Sequence, residues 1–379
     1  MNRPMRLLCD SNPMCYGSSA SMLSILDHLD AEVTALVQGV TSELLARDPA
    51  VDHVIETDLK DPIAVERDVK LSAYDAVLVV SNQSNIACYH AAKLPIFFVD
   101  ILYFYGHHKT GPVWSWATKT FVQRFPGVRR RLMQGDTPGA PIEIGPLIRT
   151  ADALPPTTRT RQGTLIQLGG ARSCWIRPGV NTPYPALIAR WLNELQDALP
   201  KPITVAVGRD AAEALRPIAP ANVAVKSFPQ TQFLAELSAC ELYLTTPGLG
   251  AVFEGAQYAQ DMVLLPPQNA TQVVQLTAYE HEGLAAPGLN LMALDPHFPK
   301  HDPYTLSEAD LTQEVLNSLH RLFDDTPAST QIVVERLRTA LNNLTAHRAA
   351  QERFMSTLGT PGGHTVATTI NEFWRAQCR

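Results

Sequence analysis

Several features that would mark a protein class are scarce or absent in this sequence. Its six cysteines are scattered and form no Cys-x-x-Cys pair, which argues against a zinc knuckle and a dense disulfide framework and fits a reducing compartment. No run of about 18 apolar residues occurs, and the first residues lack the pattern of a secretory signal. Lysine and arginine form no block longer than Arg129–Arg131, and the net charge is −6, so a nucleic-acid partner is not expected.

What is present indicates a globular protein with a sizeable core. The chain has 379 residues, of which 45% are hydrophobic, and this length suits two domains of ordinary size. We expect a soluble cytoplasmic protein that spans no membrane. Contact of its basic residues with the inner face of a membrane stays open at this stage.

Short apolar runs alternate with segments of helical spacing in the first half of the chain. This alternation is typical of a parallel sheet covered on both faces. The predicted strands are 6–9, 33–37, 53–56, 76–80 and 96–99, and the predicted helices between them are 18–29, 42–47 and 84–93. An aromatic and basic stretch, 100–133, interrupts the pattern before a further predicted strand at 142–148.

A polar segment with two prolines, residues 149–163, predicts a linker, after which the alternation resumes. The second set of predicted strands is 164–168, 203–207, 223–225, 241–244 and 262–265, with helices near 186–198, 210–216, 231–239, 249–259 and 270–280. Tail helices are predicted at 306–323, 327–356 and 363–376. We therefore predict an α/β protein with two Rossmann-like doubly wound domains facing a cleft, 1–150 and 151–362, and a last helix, 363–379, that crosses back to the first domain.

Two glycine-containing turns follow predicted strands in the second half, at the carboxyl ends where open parallel sheets bind ligands. In "LIQLGGARS" the strand ends at Gly169-Gly170, where backbone N–H groups can approach a phosphate, although a tight turn alone would also need glycine. In "TTPGLGAVFEG" a Gly-x-Gly loop opens a helix that carries Glu254. That carboxylate could accept hydrogen bonds from a ribose, or be a first-turn acid that the helix dipole favours.

The whole run "SFPQTQFLAELSACELYLTTPGLGAVFEGAQYAQDMVLLPPQNATQVVQLTAYEHEGLA", residues 227–285, resembles the donor-binding half of GT-B glycosyltransferases. The similarity is to the peptidoglycan GlcNAc transferase and the natural-product glycosyltransferases. It covers the C-terminal half as a pattern, whereas the N-terminal half matches in architecture only. The resemblance implies the GT-B fold and a nucleotide-diphosphate sugar, with UDP or dTDP favoured, as co-substrate, without a bound cofactor.

Carried over by position, the resemblance assigns roles to individual residues. Phe228 would lie beside the nucleobase, Gly248 and Gly250 would approach the diphosphate, Glu254 would bind the ribose and Gln272 the sugar hydroxyls. The family's acid before that glutamine is Thr271 here, which leaves the sugar open, and Phe228 as core and Gln272 as a surface amide are the alternatives. The complete predicted donor set is Gly169, Gly170, Arg172, Phe228, Thr246, Gly248, Leu249, Gly250, Glu254 and Gln272.

The family's frequent histidine at the start of the glycine turn is replaced by Thr246 or Pro247 in this chain. Without that imidazole, the diphosphate would depend more on backbone N–H groups and on a base such as Arg172.

The first half should receive the acceptor and supply a general base. Many relatives place a histidine in the first turn, where this chain has Asp10 instead. Asp100 is the stronger candidate because it directly follows the apolar strand "PIFFV", although it could simply cap the next helix. The predicted acceptor-binding residues are Tyr16, Gly17, Ser18, Tyr103 and His107.

The aromatic segment around Trp114 and Trp116 could form an acceptor platform, with Arg129–Arg131 meeting an acidic acceptor or anionic lipid. The alternative is a flap that packs on the core, with a solvated basic end.

These observations predict a glycosyltransferase that moves a sugar to a hydroxyl or amine of a small-molecule or lipid-linked acceptor. The resemblance favours inversion without a metal, and no Asp-x-Asp motif occurs. A nucleotide-sugar 2-epimerase and a non-catalytic nucleotide-sugar-binding partner on the same fold are the two alternatives. The oligomeric state is not predicted.

Overall fold

The computed structural model describes residues 3–105, 111–135, 137–150, 160–169, 171–173, 175–299, 306–325 and 327–378. Contacts divide the chain into two compact units, residues 1–153 with 358–379 and residues 154–357. None of the helices in this described part is long and apolar enough to cross a membrane.

The first unit alternates strands and helices from its start. In chain order its elements are β1 Met5–Ser11, α1 Tyr16–Leu26, β2 Ala31–Val37, α2 Val40–Leu45, β3 His53–Glu56, α3 Pro62–Asp68, β4 Ala76–Val80, α4 Ile86–Ala91, β5 Ile96–Asp100, α5 Val113–Trp116, β6 Lys119–Gln123, α6 Val128–Met133 and β7 Ile142–Ile144, with 3₁₀ turns at Leu71–Ala73 and Tyr103–Tyr105.

The second unit repeats the pattern and ends in a helical tail. Its elements are β8 Thr164–Gln167, α7 Tyr184–Leu195, β9 Ile203–Ala206, α8 Arg209–Leu215, β10 Val223–Lys226, α9 Gln230–Ala239, β11 Leu242–Thr245, α10 Leu249–Tyr258, β12 Asp261–Leu264, α11 Ala270–His281, α12 Leu291–Leu294, α13 Glu308–Asp324, α14 Ala328–Asn342 and α15 Leu344–Leu358. The last helix, α16 Gly363–Gln377, belongs to the first unit.

Both sheets are parallel and reverse their strand order at one point. The seven-stranded sheet has the order β3-β2-β1-β4-β5-β6-β7 and the five-stranded sheet the order β10-β9-β8-β11-β12. The order reverses between β1 and β4 and between β8 and β11, where the connections leave on opposite faces and open a crevice. Both units are therefore Rossmann-like, as predicted.

The core of the first unit lies between the sheet and a layer containing α1 and α16. Leu7, Leu78 and Phe97 are completely buried there. From α16, Val366 and Ile370 are also completely buried in this cluster. The C-terminal helix is therefore part of the core of the first unit.

The structure differs from the sequence-based prediction in a few elements. Strand β6 lies within the aromatic and basic stretch for which no strand was predicted; it pairs between β5 and β7, and four of its five residues are buried. The predicted strand 142–148 is limited to β7, and the single predicted helix 327–356 is two helices that meet at Asn343. Helix α3 was missed, although Asp61 caps it and Pro62 begins it.

Candidate functional site

A hydrogen-bond network centred on the Gly169 carbonyl oxygen lies at the crevice of the second sheet. This oxygen accepts hydrogen bonds from Thr246 Oγ1 at 2.9 Å, Gln268 Nε2 at 2.7 Å and Gln272 Nε2 at 2.8 Å. The three donors come from the ends of β11 and β12 and from α11. The network therefore joins the two turns on either side of the crevice, where the sequence predicted a phosphate site.

The N-terminus of α10 is available for an anion. Gly248 caps the helix without a side-chain hydrogen bond, and Leu249 and Gly250 form its first turn. A Cβ added at Gly250 would meet no atom within 4 Å, so the space beside it is open. Free N–H groups, a favourable dipole and open space suit a phosphate group.

Glu254 lies in the second turn of α10, not in the first turn, where the dipole alternative would place it. The residue is 6% exposed, and its Oε1 accepts a hydrogen bond of 3.4 Å from Nε2 of Gln230. Gln230, the first residue of α9, is 9% exposed, and its own Oε1 has no hydrogen-bond partner in the described part of the chain. The pair thus offers carboxylate and amide acceptors at the start of α9.

Gln230 was missed by the sequence analysis. The signal was its position at the start of the helix that directly follows Phe228 and Pro229. Phe228 itself is half-buried, with the Lys226 Nζ atom 6.0 Å from the centre of its ring. It is therefore not a core residue and retains an accessible face.

Gln272 is buried and not a surface amide. Besides the bond to Gly169, its Nε2 donates to Thr246 Oγ1 at 3.2 Å, and its Oε1 accepts from the backbone N–H of Gln268 at 3.0 Å. Both amide hydrogens are therefore engaged by protein acceptors. The contact of Gln272 with a sugar stays a prediction, and donation to a sugar hydroxyl requires one of the two Nε2 bonds to be exchanged.

Arg172 lies on the side of the crevice towards α8. It forms an ion pair of 2.9 Å with Asp210 and lines, with Arg177 and Glu213, an open cavity of about 610 Å³. Gly170 and His107, both predicted site residues, lie outside the described residues.

In the first unit, Asp10 lies at the crevice but is completely buried. Its carboxylate accepts hydrogen bonds from Asn82 Nδ2 at 2.7 Å, Asn85 Nδ2 at 2.8 Å and the Tyr89 hydroxyl at 2.7 Å. Burial raises the pKa of Asp10, against the lowering effect of these three donors. The arrangement holds β1, β4 and α4 together and favours a structural role for this carboxylate over the role of a base.

Asp100 is the last residue of β5 and is 4% exposed. Its carboxylate accepts one backbone hydrogen bond, from the N–H of Leu102 at 2.8 Å, as the capping alternative expected. Burial raises the pKa of Asp100 to about 6, although the Leu102 N–H lowers it. A carboxylate with this pKa is ionised near neutral pH and is more basic than an exposed aspartate.

The aromatic segment packs on the core, as the alternative to an acceptor platform expected. Tyr103 is 2% and Trp114 1% exposed, and their rings meet edge to face at 5.6 Å. The Tyr103 hydroxyl is hydrogen-bonded to Thr137. Trp116, by contrast, is 40% exposed and stacks on His90.

The remaining predicted acceptor residues lie at the start of α1. Tyr16 is half-buried, and its hydroxyl donates to Glu43 at 2.8 Å, while Gly17 is exposed and Ser18 is buried. Among the described residues, no group of three or more histidine, cysteine, aspartate or glutamate side chains could hold a metal ion.

Two parallel Rossmann-like sheets, each covered by helices, define the class of this protein, which has the GT-B fold of glycosyltransferases. Solved structures of this fold resemble it at low sequence identity. The spinosyn rhamnosyltransferase with thymidine diphosphate has a TM-score of 0.58 and 13% identity, covering 97% of this chain and 100% of that chain. With the spinosyn aglycone, the TM-score is 0.56 and the identity 14% over the same shares.

The glycosyltransferase of kitacinnamycin has a TM-score of 0.50 and 16% identity, covering 98% of this chain and 99% of that chain. No family model and no curated protein matches the sequence.

Proposed function

We propose that this chain is a glycosyltransferase that moves a sugar from a nucleotide-diphosphate donor to a hydroxyl or amine acceptor. The observation that carries the proposal is the crevice of the second unit. There the N-terminus of α10, which has no side-chain cap, adjoins open space at Gly250, and Glu254 lies in the next turn with Gln230 beside it. These groups match the anionic diphosphate and the hydroxyls of a ribose.

The donor is expected to be a UDP- or dTDP-sugar bound by the second unit. Support comes from the spinosyn rhamnosyltransferase, whose structure was solved with thymidine diphosphate. The α10 N–H groups would stabilise the charge on the leaving diphosphate, which is work that a metal ion does in other enzymes.

Asp100 is the base that we propose for the acceptor. In an inverting reaction its carboxylate takes the proton of the acceptor hydroxyl or amine, while that nucleophile bonds to the anomeric carbon. The bond from the anomeric carbon to the diphosphate oxygen breaks, and the diphosphate leaves with both electrons. Deep burial of Asp100 supplies the required basicity.

Calorimetric titration with UDP, dTDP, GDP and their glucose conjugates tests this function. We expect micromolar binding of one nucleotide class, weakened in Glu254→Ala by about tenfold or more because a ribose hydroxyl loses its acceptor. The exposed Glu352 on α15 supplies the control, Glu352→Ala. Absence of binding, or equal binding by Glu254→Ala, would contradict the donor site.

Product analysis then separates the alternatives. Transfer requires an acceptor and releases the nucleoside diphosphate. Epimerisation changes the sugar without an acceptor, and a non-catalytic partner releases no nucleotide.

We further propose a peripheral contact of α6 with an anionic membrane surface. Arg129 and Arg130 are exposed, and Met133 in the same helix is 82% exposed. Basic residues around an exposed apolar side chain favour anionic lipid. Co-sedimentation with phosphatidylglycerol vesicles, but not with phosphatidylcholine vesicles, is the expected result, and its loss in Arg129→Glu/Arg130→Glu would locate the contact.

A further inference from the structure

Gln268 is a buried polar residue that the proposed function does not yet use. It follows Pro266 and Pro267 after β12 and is 1% exposed. Its side-chain Nε2 donates to the Gly169 carbonyl at 2.7 Å, and its backbone N–H donates to Oε1 of Gln272 at 3.0 Å. Gln268 thus bonds both the glycine turn after β8 and the glutamine expected to meet the sugar.

The direction of the Gln268 amide is fixed. A carbonyl oxygen can only accept, so the atom facing Gly169 must be the NH₂ group, and the Oε1 atom points elsewhere. This Oε1 has no hydrogen-bond partner in the described part of the chain. Leaving a buried acceptor without a partner is unfavourable, so the bond to Gly169 dominates the placement of this side chain.

The Gly169 carbonyl has more donors than it needs. A carbonyl oxygen has two lone pairs, whereas three side chains donate to this one. Because the peptide unit is planar, holding the carbonyl also holds the plane of the peptide bond that follows Gly169. Loss of one donor therefore leaves the turn in place.

One of the three donors is expected to leave. Gln272 can donate to a sugar hydroxyl only by giving up one of its two bonds, since both of its amide hydrogens are engaged, and the Gly169 carbonyl is the partner that keeps two other donors. Gln268 and Thr246 would then be the donors that remain at Gly169. Thr246 and Gln268 are both buried, and the bond from Gln268 to the Gly169 carbonyl is the shorter of the two.

We propose that Gln268 is a positioning residue that holds the Gly169 turn while Gln272 exchanges its bond to Gly169 for a bond to the donor sugar. This inference rests on the proposed function. It predicts that Gln268 and Gln272 replace one another in holding the turn, so that Gln268 becomes necessary when Gln272 binds the sugar or is removed.

The test compares Gln268→Met and Gln272→Met, which keep the side-chain length but remove the donor. Calorimetry is done with UDP and UDP-glucose, or with dTDP and dTDP-glucose if the wild type prefers that pair. We expect Gln268→Met to weaken the nucleotide sugar by about five- to twentyfold and to leave the nucleoside diphosphate within about twofold, because Gln272 and Thr246 still hold Gly169 when no sugar is bound. Gln272→Met should give the same pattern, because Gln268 and Thr246 then hold the turn. The double variant Gln268→Met/Gln272→Met leaves only Thr246 at Gly169, so it should also weaken the nucleoside diphosphate, by about fivefold or more.

Gln268→Asn provides a second variant if the methionine variant does not fold. It keeps the amide and the backbone bond to Gln272, but its side chain is one methylene too short to reach Gly169. Circular dichroism melts check that the variants are folded.

Two results overturn the inference. Either a folded Gln268 variant binds both ligands like the wild type, or the folded double variant binds the nucleoside diphosphate like the wild type. A wild type that binds no member of the panel contradicts the proposed function itself, so the two failures are distinguishable.

Discussion

The Asp100 carboxyl is a buried acid with one protein hydrogen bond, and its pKa is raised by burial to about 6 from the ordinary value of 3.8. Because the folded-state pKa is the higher one, Asp100 contributes most to stability below about pH 4. This contribution is lost as the pH rises through about 6. The side chain therefore opposes folding at neutral pH, which is typical of a functional residue.

Asp100→Asn should remove the destabilisation that the buried carboxylate causes at neutral pH. At pH 7 we expect the variant to be more stable than the wild type, by up to about 3 kcal/mol, because an amide does not ionise. Below about pH 4 the two should be equally stable. Urea unfolding at both pH values measures the difference, and an identical pH dependence in both proteins would contradict the pKa.

The same substitution should abolish most of the activity. As the proposed base, Asp100 supplies about 10²-fold or more in turnover, while the donor affinity should stay unchanged. In the wild type, kcat/KM should fall with decreasing pH around a midpoint near the pKa of about 6. If turnover survives in Asp100→Asn, then Asp10 or a group of the substrate becomes the better candidate.

Gln230 and Glu254 together offer acceptors for two ribose hydroxyls. Gln230→Leu should therefore weaken UDP binding by about 1–2 kcal/mol and 2′-deoxy-UDP binding by less, because the deoxyribose has one hydroxyl fewer. Gln232→Leu, at an exposed position of the same helix, is the matched control. Equal losses for both nucleotides would show that Gln230 does not meet the ribose.

At the scale of one element, helix α10 contains two glycines with opposite surroundings. A Cβ at Gly250 would enter open space, whereas a Cβ at Gly255 would lie 2.5 Å from Met262 Sδ and 2.8 Å from the Tyr243 ring. Gly255 lets the helix approach β11 and β12 closely. Gly250 keeps clear the space in which we place the diphosphate.

Alanine at these two positions should separate stability from binding. Gly255→Ala is expected to cost about 1–3 kcal/mol of stability, because atoms in the packed core must move. Gly250→Ala should leave the stability unchanged or raise it by about 0.5 kcal/mol while weakening the nucleoside diphosphate. Thermal melts measure the stability of both variants, and calorimetry on the same samples measures their affinity for the nucleoside diphosphate. Unimpaired binding by Gly250→Ala would contradict the placement of the diphosphate beside Gly250.

At the scale of the whole chain, the C-terminal residues complete the hydrophobic core of the first unit. Helix α16 contributes Val366 and Ile370 to the core cluster, and Phe373 meets the Phe97 ring edge to face. The two parts of this core are separated by more than two hundred residues, all of the second unit.

Ile370→Ala should therefore destabilise the first unit by about 2–4 kcal/mol, since it leaves a cavity in a fully buried site. Arg375→Ala, at an exposed position of the same helix, should change the stability by less than about 0.5 kcal/mol. Hydrogen exchange of β1 and β4 amides follows the first unit alone. Equal exchange in both variants would show that α16 adds little to this core.

Most strands of the two sheets could be predicted from the sequence, because buried parallel strands are continuous apolar runs. Such runs are recognisable in the sequence without knowledge of the neighbouring strands. Strand β6 could not be predicted, since Lys119-Thr120-Phe121-Val122-Gln123 has only two apolar residues and its place in the sheet depends on pairing with β5 and β7. The division of the predicted helix at Asn343 likewise has little local signal. Asp61, which caps α3, and Pro62, its first residue, are local signals in the sequence from which the start of this helix could have been predicted.

The sequence by itself determined the alternation of elements, the two glycine turns and Glu254, because these are set by local hydrophobic period and by residue type. The tertiary structure decided which polar groups meet. It brought Gln230 to Glu254 and placed three donors on the Gly169 carbonyl, and it enclosed Asp10 among three donors of its own. Such contacts join residues up to about a hundred positions apart, and burial then sets their chemistry, because a polar group removed from water is defined by the few partners that remain.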